Sequence, residues 1–172
     1  MGVEIERKFL VIDDGWRHLA RGVFMRQAYI CSDSGRIVRV RIEGECAVLT
    51  IKGKTEGISR GEWEYPIPLK DAQELLETLC EKPFIEKNRY RIPFGGFIWE
   101  VDEFFGENSG LIVAEIELES ESQTFAKPDW VGQEVSQDRR YANANLFKHP
   151  FQSWSTGEKK ISESMPNQVP FG

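Results

Sequence analysis

Charged and apolar residues alternate with a period of two along most of this chain, as in strands whose successive side chains point to opposite faces. In Glu4-Ile5-Glu6-Arg7-Lys8-Phe9-Leu10-Val11, the side chains of Glu4, Glu6 and Lys8 share one face, opposite Ile5, Phe9 and Val11. Arg7 falls on the other side and reads as a surface residue. This first strand runs from about Val3 to Ile12, and Asp13-Asp14-Gly15 then offers a cap for a short helix carrying Trp16, Leu19 and Ala20. A second strand covers Val23 to Cys31 and turns at Asp33-Ser34-Gly35 into Ile37 to Ile42, with Arg39 and Arg41 on one face.

Cys46 to Lys54 groups Thr50, Lys52 and Lys54, and the next strand sets Glu62 and Glu64 against Trp63 and Tyr65, ending at Pro66 and Pro68. Ile85 to Ile92 carries Lys87, Arg89 and Arg91 in register. After a turn at Pro93-Phe94-Gly95-Gly96, Phe97 to Glu103 carries Glu100 and Asp102, and Leu111 to Leu118 carries Glu115 and Glu117. Helical spacing is clearest from Lys70 to Glu81, where Ala72, Leu75, Leu76, Leu79 and Cys80 recur. Asp71 is the predicted cap, Pro83 the stop, and an apolar sheet face the partner. About eight strands joined mostly by short turns, with helices inserted irregularly, predict an α+β, mainly β, protein whose antiparallel sheet closes like a barrel.

An alternating strand ordinarily has one solvated face. Here the signs segregate by strand, which a solvated surface does not require. Bases fall at Lys8, Arg39, Arg41, Lys52, Lys87 and Arg89, and acids at Glu4, Glu6, Glu62, Glu64, Glu100, Asp102, Glu115 and Glu117. In a closed barrel they predict a lumen with a cationic wall and an acidic wall. Arg and Lys hold phosphate oxygens through charge-assisted hydrogen bonds, and carboxylates suit hard cations such as Mg2+ or Mn2+. No Walker-type loop is present. Lys54, Arg91 and Glu119 sit at strand ends and stay outside the core site, while His18 and His149 read as surface or structural residues.

The remaining composition narrows the class. The chain has 172 residues, 40% hydrophobic and 29% charged, which suits one domain, assigned to residues 1–154, with a polar tail over 155–172 expected to be disordered. No apolar run approaches the roughly 18–20 residues that span a bilayer. With an acidic, charged start to the sequence, this leads to the expectation of a cytoplasmic protein. Cys31, Cys46 and Cys80 form no Cys-x-x-Cys pair and read as free, buried thiols. A net charge of −6 argues against general nucleic-acid binding.

Glu4-Ile5-Glu6-Arg7-Lys8 resembles the Glu-x-Glu-x-Lys signature of the CYTH superfamily, the triphosphate tunnel metalloenzymes. Arg39-Val40-Arg41, Thr50-Ile51-Lys52-Gly53, Glu62-Trp63-Glu64, Lys87-Asn88-Arg89, Glu100-Val101-Asp102 and Ala114-Glu115-Ile116-Glu117-Leu118 follow in that family's order. The resemblance implies an eight-stranded antiparallel tunnel with helices outside and a closing helix within Asp138 to Pro150. It also implies that Lys8, Arg39, Arg41, Lys52, Lys87 and Arg89 grip a triphosphate. Glu4, Glu6, Glu115 and Glu117 are then the principal metal ligands, with Glu62, Glu64 and Asp102 as further ligands or supports. Tyr29 would orient the attacking water beside Lys87; Ala28 stands where relatives often read glycine.

The activity implied is metal-dependent cleavage of the terminal phosphoanhydride of a linear triphosphate, with inorganic tripolyphosphate favoured because no base-recognition element can be read. Alternatives are an organic triphosphatase, an adenylate cyclase of the same superfamily, or a polyphosphate-binding module without turnover. Intact paired carboxylates weigh against the last, because without a metal they would repel a polyanion. A small-molecule partner is expected, with no nucleic acid and no membrane, and a homodimer through outer strands is compatible with the family.

Overall fold

The structure is a computed structural model describing residues 2–33 and 35–159. Its strands are β1 (Gly2–Val11), β2 (Val23–Asp33), β3 (Arg36–Glu43), β4 (Cys46–Lys52), β5 (Ser59–Ile67), β6 (Ile85–Phe94), β7 (Phe97–Phe104), β8 (Ile112–Glu117) and β9 (Val131–Glu134). They lie in the order β5-β4-β3-β2-β6-β7-β8-β1-β9, all antiparallel, and a β5–β1 pairing closes the first eight into a barrel. The α+β, mainly β, barrel predicted from the alternation is therefore present.

The ninth strand was not predicted. β1 pairs with β8 along one edge; its other edge pairs with β5 over residues 2–5 and with β9 near Phe9 and Val11. β9 is four residues long with little alternation. Its Gly132 permits the close approach: a Cβ there would lie 2.4 Å from Ile12 Cγ2. Arg7 faces out of the barrel, yet it is not a free surface residue. Its guanidinium is paired with Glu134 on β9 and lies 4.9 Å from the Phe125 ring centroid.

Helix α1 (Leu69–Thr78) covers the outer face of β3 and β4. Ala72 and Leu76 are buried in a cluster with Ala28, Val40 and Ala47. The Ala28 methyl thus faces the packed exterior, while its neighbour Tyr29 faces inward. Pro68, not Asp71, occupies the N-cap position, and Asp71 lies in the first turn. The predicted helix after Asp13 is instead a run of turns. Asp13 Oδ1 accepts from Gly15 N at 2.8 Å, and the fully buried Trp16 donates its indole N–H to Asp13 O. So short a stretch is held by this anchor without helix propagation.

A second outer cluster joins Phe9, Trp16, Trp99, Val101, Ile116 and Trp130 over β1, β7 and β8. A third closes one barrel end, where Tyr29, Ile85, Phe104 and Val113 meet Tyr141, Leu146, Phe147 and Trp154 of the C-terminal segment. The closing helix predicted within 138–150 is a chain of short pieces: a 3-10 turn at Arg139–Tyr141, α2 (Asn143–Leu146), and a 3-10 turn at Phe151–Ser153. Ala142, extended at φ −66° and ψ 132°, separates the first two pieces. Residues 156–159 form a further turn, Ser155 Oγ accepting from Glu158 N at 3.1 Å. The rest of the tail, expected to be disordered, lies outside the described residues, as does Ser34 of the predicted hairpin turn. Among the described residues no helix is long and apolar enough to cross a membrane.

Candidate active site

Inward positions alternate along each strand, so the order of strands around the barrel decides which charges meet. β4, β3, β2 and β6 are contiguous and contribute Lys52, Arg39, Arg41, Tyr29, Lys87, Arg89 and Arg91. β7, β8, β1 and β5 complete the ring with Glu100, Glu115, Glu117, Glu4, Glu6, Glu62 and Glu64. The two predicted walls are thus opposite halves of one lumen, around a cavity of about 260 Å3. Lys8 and Arg60 are the cations on the acidic half. A second cavity, of about 360 Å3, shares Glu4, Glu6, Lys8 and Arg60 and extends toward Lys54, Arg139 and Lys148.

Several charges are neutralised within the protein. Lys52 Nζ lies 3.0 Å from Glu4 Oε2 and 3.1 Å from Glu62 Oε2, and Arg60 Nε donates to Glu4 Oε2 at 3.0 Å. Burial opposes ionisation of Glu4, but Lys52 and Arg60 outweigh it and hold the carboxyl far below its usual range. Glu115 is likewise buried, and Lys8 at 3.5 Å and Arg89 at 3.7 Å keep it ionised. Arg39 Nη2 donates to Thr50 Oγ1 at 3.1 Å, and Thr50 donates in turn to Glu64 at 3.2 Å.

Other ionisable groups make no ion pair among the described residues. Glu6 and Glu117 make no ion pair among the described residues. Burial pushes both carboxyls up, reinforced by Glu115 and Glu4 around Glu6 and by Glu4 and Glu62 around Glu117. The Arg41 guanidinium makes no hydrogen bond or ion pair among the described residues, and burial beside Arg39 and Arg89 lowers it to about 10. A polyanion bridged to a divalent cation would neutralise both sets at once.

Asp102 is placed differently from the other predicted acids. It is fully buried behind the lumen, with Oδ1 and Oδ2 accepting from Arg89 at 2.7 and 2.8 Å and Oδ2 also from Lys87 Nζ at 2.7 Å. Burial of this carboxyl is overcome by Arg89 and Lys87, which keep it ionised. It anchors the two cations instead of facing the cavity. Lys87 is 1% exposed, and burial, only partly offset by Asp102, pushes its ammonium down to about 8.

Tyr29 and Lys87, predicted to act side by side, are connected through other residues. Lys87 Nζ donates to Asn143 Oδ1 at 3.0 Å; Gln27 Nε2 donates to the same oxygen at 3.3 Å and to Tyr29 Oη at 3.1 Å. Burial pushes the Tyr29 phenol up. Arg60, Gln27, Asn143 and Arg91 are additions to the predicted site, whereas Glu100, predicted among the inward acids, lines the lumen as expected. Arg60 continues the alternation of Glu62 and Glu64 one step earlier, and Gln27 sits two residues before Tyr29, so both were legible as inward positions. Arg91, set aside as a strand end, lines the lumen and pairs with Glu43 at 2.6 Å and Glu100 at 3.4 Å.

Fold and site define a β-barrel tunnel protein with opposed cationic and carboxylate walls. The chain matches the CYTH domain over residues 2–147 and belongs to that family. It is 55% identical over 154 residues to a protein named inorganic triphosphatase from Acetivibrio thermocellus, covering 90% of this chain and 99% of the relative. A protein of the same name from Nitrosomonas europaea is 39% identical over 150 residues, covering 83% and 95%. A crystal structure of an inorganic triphosphatase superposes with a TM-score of 0.59 at 35% identity, covering 86% of this chain and 95% of that one.

Proposed function

We propose that this chain is an inorganic triphosphatase that hydrolyses the terminal phosphoanhydride of linear tripolyphosphate inside its tunnel. The observation that carries this reading is the division of one lumen into a cationic half and a carboxylate half. The names of the two relatives support it. Lys8, Arg39, Arg41, Lys52 and Arg89 hold the phosphates, Arg41 with its whole guanidinium available. Glu4, Glu6, Glu62, Glu64, Glu115 and Glu117 form the donor set for a divalent cation, Mg2+ or Mn2+.

The donor chemistry fits such an ion. Among the described residues no three acidic, histidine or cysteine side chains converge as a ready-made cage. Glu4 and Glu62 are drawn onto Lys52 instead, while Glu6 and Glu117 are crowded carboxyls that make no ion pair among the described residues. When bound, the ion supplies charge neutralisation and polarisation of phosphoryl oxygens. The protein's own part is positioning, on which phosphoryl transfer chiefly depends. The arginines and lysines fix the chain of phosphates along the lumen. Tyr29 and Lys87 orient the attacking water, and Lys87, near 8, can exchange a proton close to neutral pH. As water adds to the terminal phosphorus, the bridging P–O bond breaks, leaving orthophosphate and pyrophosphate.

The three cysteines are free, but only Cys80 is buried, Cys31 being half-buried and Cys46 exposed; unpaired thiols are consistent with a reducing, cytoplasmic location. The deciding test is phosphate release from tripolyphosphate, ATP, thiamine triphosphate and pyrophosphate with Mg2+, Mn2+ or chelator. Metal-dependent release from tripolyphosphate well above the others is expected. Cyclic AMP formed from ATP would install the cyclase reading, and tight tripolyphosphate binding without turnover would leave a binding module.

A further inference from the structure

We infer that Asn143, carried in from the C-terminal segment, is a positioning residue that aligns Lys87 and Tyr29 for attack on the terminal phosphate. The inference rests on the triphosphatase reading and concerns a residue with no signal in the strand pattern. Asn143 is the first residue of α2 and lines the cavity beside Ala142 and Ala144. Its Oδ1 accepts from two donors, Lys87 Nζ at 3.0 Å and Gln27 Nε2 at 3.3 Å.

The direction of every bond in this chain follows from one fact: a lysine ammonium has donors and no acceptor. Lys87 therefore requires the oxygen of Asn143, not its amide nitrogen. Facing that oxygen, Gln27 must present Nε2, since two carbonyl oxygens cannot share a hydrogen bond. Gln27 Nε2 then also donates to Tyr29 Oη at 3.1 Å, so the phenol oxygen is an acceptor there and its own proton is free to point elsewhere. Tyr29 lines the lumen, which is where that proton can meet substrate or water.

The arrangement has a cost. Gln27 is fully buried, and its Oε1 has no partner among the described residues. An unpaired buried acceptor ordinarily lowers stability, because its desolvation is not compensated. Gln27 is thus oriented by Asn143 and Tyr29 at the expense of its own second bond.

The C-terminal segment is held firmly enough to serve as this reference. Leu146 is fully buried, the Phe147 ring stacks on Tyr29 with centroids 5.3 Å apart, and Tyr141 O accepts from Lys8 Nζ at 3.1 Å. Lys87 meets two fixed acceptors, Asp102 from β7 and Asn143 from α2, and lines the cavity, so one of its three donors remains for a further partner. Loss of either acceptor lets the ammonium turn.

The test compares Asn143→Leu, which removes the acceptor, with Asn143→Asp, which keeps it. Assayed on tripolyphosphate below their melting temperatures, the Leu variant should lose about 100-fold in kcat with KM within about threefold, the scale of a misplaced reacting group. The Asp variant should recover most of that loss. A Leu variant with wild-type kcat, an Asp variant as impaired as Leu, or a raised KM with unchanged kcat would each overturn the inference. Lysine side-chain NMR, with the Lys87 resonance assigned through Lys87→Arg, reads the same alignment without turnover. The Lys87 ammonium protons should be protected from solvent exchange in the wild type and in Asn143→Asp, and unprotected in Asn143→Leu. A wild type with that protection but no hydrolysis would reject the triphosphatase reading alone; equal protection in all three would reject the role of Asn143.

Discussion

Arg89 closes on Asp102 through two parallel hydrogen bonds, Nε to Oδ1 at 2.7 Å and Nη2 to Oδ2 at 2.8 Å, in a pair whose acid is wholly removed from solvent. Lys87 shares the same carboxylate, so one buried acid holds two cations of the lumen wall in place. Breaking a buried pair by removing one partner costs about 3–5 kcal/mol, because the remaining charge is stranded. Asp102→Ala should therefore lower urea-unfolding stability on that scale. Asp102→Asn, measured where it is folded, should leave the Mg2+ concentration for half-activation unchanged. A large rise in that concentration would return Asp102 to the metal ligands.

Glu117 presents the opposite case, an inward carboxylate without a cation partner among the described residues, and its pKa is raised by burial and by Glu4 and Glu62. Replacing it should relieve repulsion in the metal-free protein while removing a donor. Glu117→Gln is expected to keep or gain thermal stability, lose at least tenfold in turnover, and require more Mg2+ or Mn2+ for half-activation. Wild-type metal dependence in that variant would remove Glu117 from the donor set.

Arg41 should separate binding from stability. Its guanidinium makes no ion pair among the described residues, and burial with repulsion from Arg39 and Arg89 outweighs the attraction of Glu64 and Glu43, so the folded protein gains little from it. Arg41→Met should leave the melting temperature unchanged or raise it, and should raise KM for tripolyphosphate about tenfold or more, the loss of a charge-assisted phosphate contact. A collapse in stability would show that the arginine is structural.

Lys87 makes stability depend on pH with a defined sign. Its folded value near 8 lies below the ordinary lysine value of 10.5, so between these limits the unfolded chain binds more protons than the folded one. Stability contributed by this group therefore rises as pH climbs from about 8 to 10.5 and is flat below that window. The stability difference between wild type and Lys87→Met should grow in favour of the wild type across that interval. A difference independent of pH would mean that Lys87 titrates alike in both states.

Much of the barrel was legible because its signal is local. The alternation of Glu4, Glu6 and Lys8 against Phe9 and Val11, or of Arg39 and Arg41 against Val40 and Ile42, follows from the pleat and survives whatever the strand pairs with. Turns were legible for similar reasons: Gly95 and Gly96 both adopt positive φ, 60° and 83°, between β6 and β7, where the sequence predicts a turn. β9 was not, since its four residues carry no periodicity and it exists through pairing with β1. The helix expected after Asp13 is absent because the stretch is short and Trp16 is held by the core and by its bond to Asp13 O.

The sequence by itself determined which residues face the lumen and what charge each carries, because side-chain direction in a strand is set by parity. Only the tertiary structure decided which of those charges are neighbours. Closure of β5 onto β1 and the placement of β6 beside β2 gather most of the cations into one half-ring and the carboxylates, with Lys8 and Arg60 among them, into the other. The same packing withdraws Asp102 behind Lys87 and Arg89. It also brings Asn143, 56 positions away in sequence, onto the Lys87 ammonium. Strand order and long-range contacts depend on which faces can be buried together around the whole barrel, a condition that no single segment carries.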